Sequence, residues 1–290
     1  MKNIYKSIAA LVVTSLFAGK ASAQQAQPTL EKSLLWEVSG NGLDKPSYIY
    51  GTTHMICEAD FIVRDKVKQA FGKSVQLVIE ANIQDPDMAE ILAKAMASDV
   101  PQHQKLSPAD YNMVDSILKL KCGIPFNLLD NYKLSAVVSV IAQKSFPCEV
   151  TKSYEATFLE MAKNSNKHIT ALEGLAEQVD YLNKSFTDEQ ILSQVKDFDN
   201  SKKESMDLIS KYKEEDLMGV YANITAPNRM DENAMHWMLE VRNGNWVDKM
   251  PEMMKQQSSF FAVGAAHLPG PIGLITQLRA KGYTVKPIMN

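Results

Sequence analysis

Beyond its first 23 residues the chain has no apolar run of 18 residues, no Pro/Ser-rich linker, no low-complexity tract and no basic patch. The first absence excludes a polytopic membrane protein, because a spanning helix needs about 20 apolar residues. The missing linker leaves no seam between independent halves, so residues 24–290 are expected to form a single domain. The missing basic patch excludes nucleic-acid binding by a phosphate-tracking surface. Gly and Pro number only 13 and 12, and 45% of the residues are hydrophobic, which excludes a collagen-like or a long disordered chain.

Acidic residues are absent from the first 23 positions, which carry Lys2, Lys6 and Lys20. There Met1–Lys6 is short and basic, Ile8–Ala18 is apolar but too short to span a bilayer comfortably, and Ala21-Ser22-Ala23 offers the small residues that a signal peptidase reads. The expectation is a signal peptide cleaved near Ala23-Gln24 and an exported product, periplasmic or secreted. The remainder holds 28 basic and 34 acidic residues, net −6. Cysteine is scarce, and the odd count of three leaves one over in an oxidising compartment. Three pairings are possible. Cys122 and Cys148 flank one helical segment and both sit beside proline-containing turns, which favours that pair with Cys57 free or beside the site.

The two ends read as β-rich and the middle as helical. Leu34–Val38, Ser47–Tyr50, Val75–Ile79, Ile169–Leu172, Phe260–Val263 and Tyr283–Val285 have strand character, and SGNGLDKP between the first two reads as a hairpin loop. Ser107-Pro108-Ala109-Asp110 is a helix start, and Gly123 a helix stop. Thr187–Tyr212, Asp231–Arg242 and Pro271–Lys281 read as further helices, the last stopped by Gly282. The predicted architecture is α/β: a mixed central sheet built from the N- and C-terminal segments, with a large helical insertion or lid over about residues 85–257.

One pattern occurs twice. Tyr48-Ile49-Tyr50 runs into Gly51-Thr52-Thr53-His54, and Phe260-Phe261-Ala262-Val263 runs into Gly264-Ala265-Ala266-His267. With 13 Gly and 5 His, chance gives about 0.2 such G-x-x-H tetrads. In open α/β sheets ligands bind beyond the carboxyl ends of strands, where glycine permits positive φ or close backbone approach. If the two strands are neighbours, both imidazoles meet. Glu80, at the end of the Val75–Ile79 run, supplies a carboxylate at a third strand end. Two histidines and a carboxylate suit Mn²⁺, Co²⁺, Zn²⁺ or Fe²⁺ and leave room for an activated water. His103 and His168 lack such a setting. His236 and Glu240, four apart on a helix, form either a ligand pair or a surface contact.

These motifs resemble the TraB/GumN (TraB/PrgY/TIKI) family. VGAAHLPGPIGLITQLRAKGYTV is similar to the family's G-x-x-H-L-P-G segment with its following helix and strand, and YIYGTTH to its G-T-x-H motif. Leu172-Glu173-Gly174 with Glu177-Gln178 resembles the family's L-E-T-x-x-E-Q block, Gly174 standing where many members carry Thr. Arg242-Asn243 resembles its R-N pair. The resemblance, from about Leu34 to Ile288, implies a TIKI-like metal-dependent protease with His54, Glu80 and His267 on a divalent ion (Mn, Co or Zn). On that reading Glu173 serves as general base or as partner to a ligating histidine, Arg242 helps hold an oxyanion, and a peptide or protein is the substrate. A second reading makes the chain an exported protein that sequesters a peptide or a metal cofactor without turnover. A third is an envelope interaction protein with a vestigial site.

Overall fold

The computed structural model describes residues 30–83 and 86–289, so the proposed signal segment lies outside the described residues. All six apolar runs form strands of one mixed sheet. In chain order the strands are β1 (Leu35–Ser39), β2 (Ser47–Thr52), β3 (Ile56–Cys57), β4 (Gln76–Ala81), β5 (Thr151–Lys152), β6 (His168–Glu173), β7 (Ser259–Gly264) and β8 (Thr284–Pro287). The large sheet runs β6-β4-β7-β2-β1-β8, and β3 and β5 make a separate two-stranded ribbon. β2, β7, β4 and β6 are mutually parallel, while β1 pairs antiparallel with both β2 and β8. β4 and β2 are buried along their whole length, as parallel strands covered on both faces must be. The fold is α/β, as the sequence pattern predicts.

The strand order decides where chemistry can occur. β7, which follows the helical segments, inserts between β2 and β4, so the two G-x-x-H corners, 213 positions apart, stand on adjacent parallel strands with Thr52 opposite Gly264. The carboxyl ends of β2, β7, β4 and β6 therefore share one edge. The main core joins both sheet faces to the Tyr154–Asn164 and Val241–Gln256 helices. The helical layer also has a core of its own around Val114, Leu118, Phe126, Val137, Ile191 and Val195.

The helices hold some departures from expectation. Ser107 caps the Pro108–Ile117 helix by accepting from the Asp110 N–H, and Gly123 stops it at φ +75° after a π-turn over Leu118–Cys122. The single helix expected over Thr187–Tyr212 is two, Asp188–Lys196 and Phe198–Lys213, broken at Asp197. Asp231–Arg242 is a short helix, a π-turn over His236–Glu240, and then a long helix that continues to Gln256. Among the described residues no helix is long and apolar enough to cross a membrane.

The expected Cys122–Cys148 disulfide is corrected. Cys148 bonds Cys57, with their Cα atoms 5.8 Å apart, while Cys122 is a free, buried thiol packed in the core of the helical layer. The cause is the β3–β5 ribbon, which pairs Cys57 with Thr151 and so draws the 148–152 segment alongside. Closing a loop of 91 positions restricts the unfolded chain, so Cys57→Ser is expected to destabilise the protein by about 2–4 kcal/mol. Cys122→Ala, which removes only one small buried group, should cost about 1 kcal/mol. Urea melts of the two variants check this, and equal midpoints would refute it.

Candidate functional site

Each glycine of the paired motif serves close approach. A Cβ on Gly51 would come within 3.1 Å of Ala265, and one on Gly264 within 3.2 Å of a Glu80 carboxylate oxygen. Neither glycine has positive φ. The small residues of each corner thus let the other corner pack against it, and the Gly264 N–H donates to Glu80 Oε1 at 2.6 Å.

Glu80 ends β4 and Glu173 ends β6, and both are buried. Between them lies Arg242, carried in just after the His236–Glu240 π-turn, a local widening often found where side chains must be re-aimed at a site. Its guanidinium donates from Nη2 to Glu80 Oε2 at 2.6 Å and to Glu173 Oε1 at 2.7 Å, and from Nε to Glu173 Oε2 at 3.2 Å. Its Nη1 donates to Nε2 of His267 at 3.1 Å. Gln178 bridges the two glutamates at 3.0 Å each, and Trp246 Nε1 donates to Glu173 Oε2 at 2.9 Å. The Trp246 ring lies 4.4 Å from the His267 ring and 4.8 Å from the Arg242 guanidinium carbon.

The tautomer of His267 follows from its neighbours. Asn243 Nδ2 donates to the carbonyls of His267 and Ile272, so its Oδ1 is free to accept from His267 Nδ1 at 2.6 Å. That leaves the Nε2 lone pair for Arg242. Burial, reinforced by the Arg242 charge, lowers the His267 pKa to about 3, so this imidazole is neutral. Burial opposes charge on Glu80 as well, but Arg242, His267 and His54 together hold its carboxyl far below the usual range. On Glu173 burial prevails and the pKa rises, with the Glu80 charge adding to it against Arg242.

His54 sits differently. Its side chain is 69% exposed, and Nδ1 is 3.1 Å from Oε1 of Glu155, a buried residue at the start of the Tyr154–Asn164 helix. The Glu155 carboxylate raises the His54 pKa to about 9 against the opposing pull of desolvation, and the charges of Glu80 and Arg242 are also felt there. Both corners therefore stand at one edge of the sheet, with Thr52 opposite Gly264.

A divalent ion on His54, Glu80 and His267 needs the lone pairs of His267 Nε2 and the Glu80 carboxylate. Arg242 donates to both, and among the described residues no three His, Cys, Asp or Glu side chains are grouped to hold an ion. This donor set, as arranged, does not fit the ion that the resemblance implies. The Arg242 side chain is 3% exposed, and its donors meet Glu80, Glu173, His267 and the Met238 carbonyl. Glu173 does not back a histidine: Asn243 accepts from His267 and Glu155 from His54. His236 and Glu240 meet at 2.8 Å on the exposed surface. Glu177 caps its own helix, accepting from the Gly174 N–H, and a Cβ added at Gly174 would meet nothing closer than the Glu177 Cβ at 4.0 Å.

A model of the TraB/PrgY/gumN family matches residues 34–287, nearly the whole chain. No curated protein and no solved structure matches it.

Proposed function

The chain belongs to the TraB/PrgY/gumN family, and from that premise we propose that it is an exported hydrolase of peptide bonds, working at the strand-end cluster with His54 as its proton-transfer residue. The observation that carries this reading is the division within the cluster. The side chains of Glu80, Glu173, Arg242 and His267 are 2–6% exposed, whereas that of His54 is 69% exposed and is the member a substrate can touch. The peptide class rests on the likeness to TIKI proteins. Export is supported by the N-terminal segment and by the Cys57–Cys148 bond, of a kind that persists in oxidising compartments.

Hydrolysis puts the hydroxyl of water on the acyl carbon and a proton on the departing amine. With its pKa raised by Glu155, His54 holds a proton at neutral pH, gives it to the amine and regains one from the attacking water. The dry array beneath keeps its charges fixed through the reaction and holds the two corners together.

The test is to incubate residues 24–290 with a peptide library, with chelator or with Mn²⁺, Co²⁺ or Zn²⁺, and to look for fragments by mass spectrometry. His54-dependent fragments are expected near pH 7. Their rate should fall as pH rises between the ordinary 6.5 and about 9, because water on the exposed side of the ring screens the Glu155 pair and the proton is lost across that window. Peptide that is bound but returned intact under every condition would overturn hydrolysis in favour of sequestration.

A further inference from the structure

We propose that Glu155 is the positioning residue of this site: it fixes the His54 imidazole through Nδ1 and leaves Nε2 toward the open side, where substrate arrives. The inference rests on the hydrolase reading for its kinetic consequence, and on geometry alone for the placement.

Glu155 is pinned before it meets the ring. Its Oε1 accepts from Thr52 Oγ1 at 2.6 Å as well as from His54 Nδ1 at 3.1 Å, and its Oε2 accepts from Ser153 Oγ at 2.9 Å. Thr52 is the last residue of β2, two before His54, so the strand end orients the same carboxylate that the histidine uses. The acid also lies in the first turn of the Tyr154–Asn164 helix, where the helix dipole favours a negative charge.

No lysine or arginine makes an ion pair with Glu155 among the described residues; its ionic partner is His54. A buried carboxylate whose charge is met by two hydroxyls, its own backbone N–H and an exposed imidazole, with no lysine or arginine, is expensive as a purely structural element. Its arrangement matches the carboxylate–histidine pairs that set ring orientation in acid–base sites.

Two devices keep the pair in register. The Cys57–Cys148 disulfide lies three positions after His54 and seven before Glu155. The β3–β5 ribbon adds the pairs Ile56↔Lys152 and Cys57↔Thr151, and the Glu58 N–H donates to the Val150 carbonyl at 3.0 Å. The chain thus bonds the loop leaving His54 to the segment entering Glu155. The other motif histidine receives a neutral amide, Asn243, at the same ring position. A carboxylate supports an imidazolium and an amide does not, so the two acceptors assign the two histidines different work.

The charged groups that act on His54 are Glu155, Glu80 and Arg242. In the test, the His54 ring-proton resonance of residues 24–290 is titrated by NMR in the wild type, Glu155→Gln and Glu160→Gln, the last an exposed acid on the same helix. Glu155→Gln keeps the shape and removes the charge. It is expected to move the His54 midpoint down by about 1–3 pH units, while Glu160→Gln leaves it in place. Where peptide is cleaved, kcat should fall about 10- to 100-fold with KM unchanged. A His54 midpoint that Glu155→Gln leaves unmoved overturns the proposal. If no peptide is cleaved, the hydrolase reading fails and the NMR arm still decides the role of Glu155.

Discussion

Replacing Arg242 by Ala is expected to cost about 3–5 kcal/mol of stability, because it strands two buried carboxylates that share one guanidinium. Glu80 would keep the Gly264 N–H and Gln178, and Glu173 would keep Trp246 and Gln178, which are too few donors for two charges at a dry strand edge. The loss comes from leaving charges unpaired, and a background variant separates that from lost packing. Arg242→Met combined with Glu80→Gln and Glu173→Gln removes both the cation and the charges it serves, so most of the stability should return. The pH dependence has a definite sign. Glu80 titrates far below its ordinary 4.5 in the folded state, and its contribution is present above 4.5 and lost as pH falls. His267 is lowered from 6.5 to about 3, so the unfolded chain binds a proton across that window that the folded chain refuses. Wild-type urea midpoints should therefore fall from about pH 6.5 downward, offset in part by Glu173, whose raised pKa lets the folded chain take up a proton before the unfolded one. The triple variant should lose both carboxylate contributions to the slope. An Arg242→Ala midpoint equal to that of the wild type would refute the buried-cation account.

The legible parts of this molecule were those with a local signal. Each strand of the large sheet is a run of four to six residues with enough apolar character to read alone. β3 and β5 are two residues each and carry no such pattern, and without them nothing places Cys57 beside Cys148. The break at Asp197 is marked by neither Gly nor Pro, and the π-turn before Arg242 has no sequence signature. The paired G-x-x-H motif pointed to the site, yet the reason for its small residues is the contact between corners that follows from β7 inserting between β2 and β4. Glu155 had no signal at all. It is a single acid after a helix cap, 101 positions from His54, and only the folded sheet brings the two together.

The two motif histidines, alike in sequence, should fail in different ways when replaced. His54→Ala removes a largely exposed ring whose ion pair is partly screened by water, and Glu155 keeps its two hydroxyl donors. Water enters where the exposed ring stood and takes over its hydrogen bond to Glu155, which no water can do for Glu80 and Glu173 beneath. The stability change should therefore stay within about 1 kcal/mol, while cleavage falls by about 10²–10⁴-fold for want of a proton-transfer group. His267→Ala leaves a cavity against Trp246 and strips partners from Arg242 Nη1 and Asn243 Oδ1, all in the buried interior. That should cost about 3 kcal/mol, and activity would fall with the fold. Two histidines sharing one metal ion behave otherwise: either replacement releases the ion, and added Mn²⁺, Co²⁺ or Zn²⁺ raises the wild-type midpoint and neither variant's. Melting curves of the three proteins, each with and without ions, distinguish the cases. A midpoint unchanged by ions, low only in His267→Ala, supports an arginine-centred array with His54 as its working edge. Equal losses in both variants, together with ion-dependent stabilisation of the wild type, would return the cation to a metal and displace Arg242 from the centre.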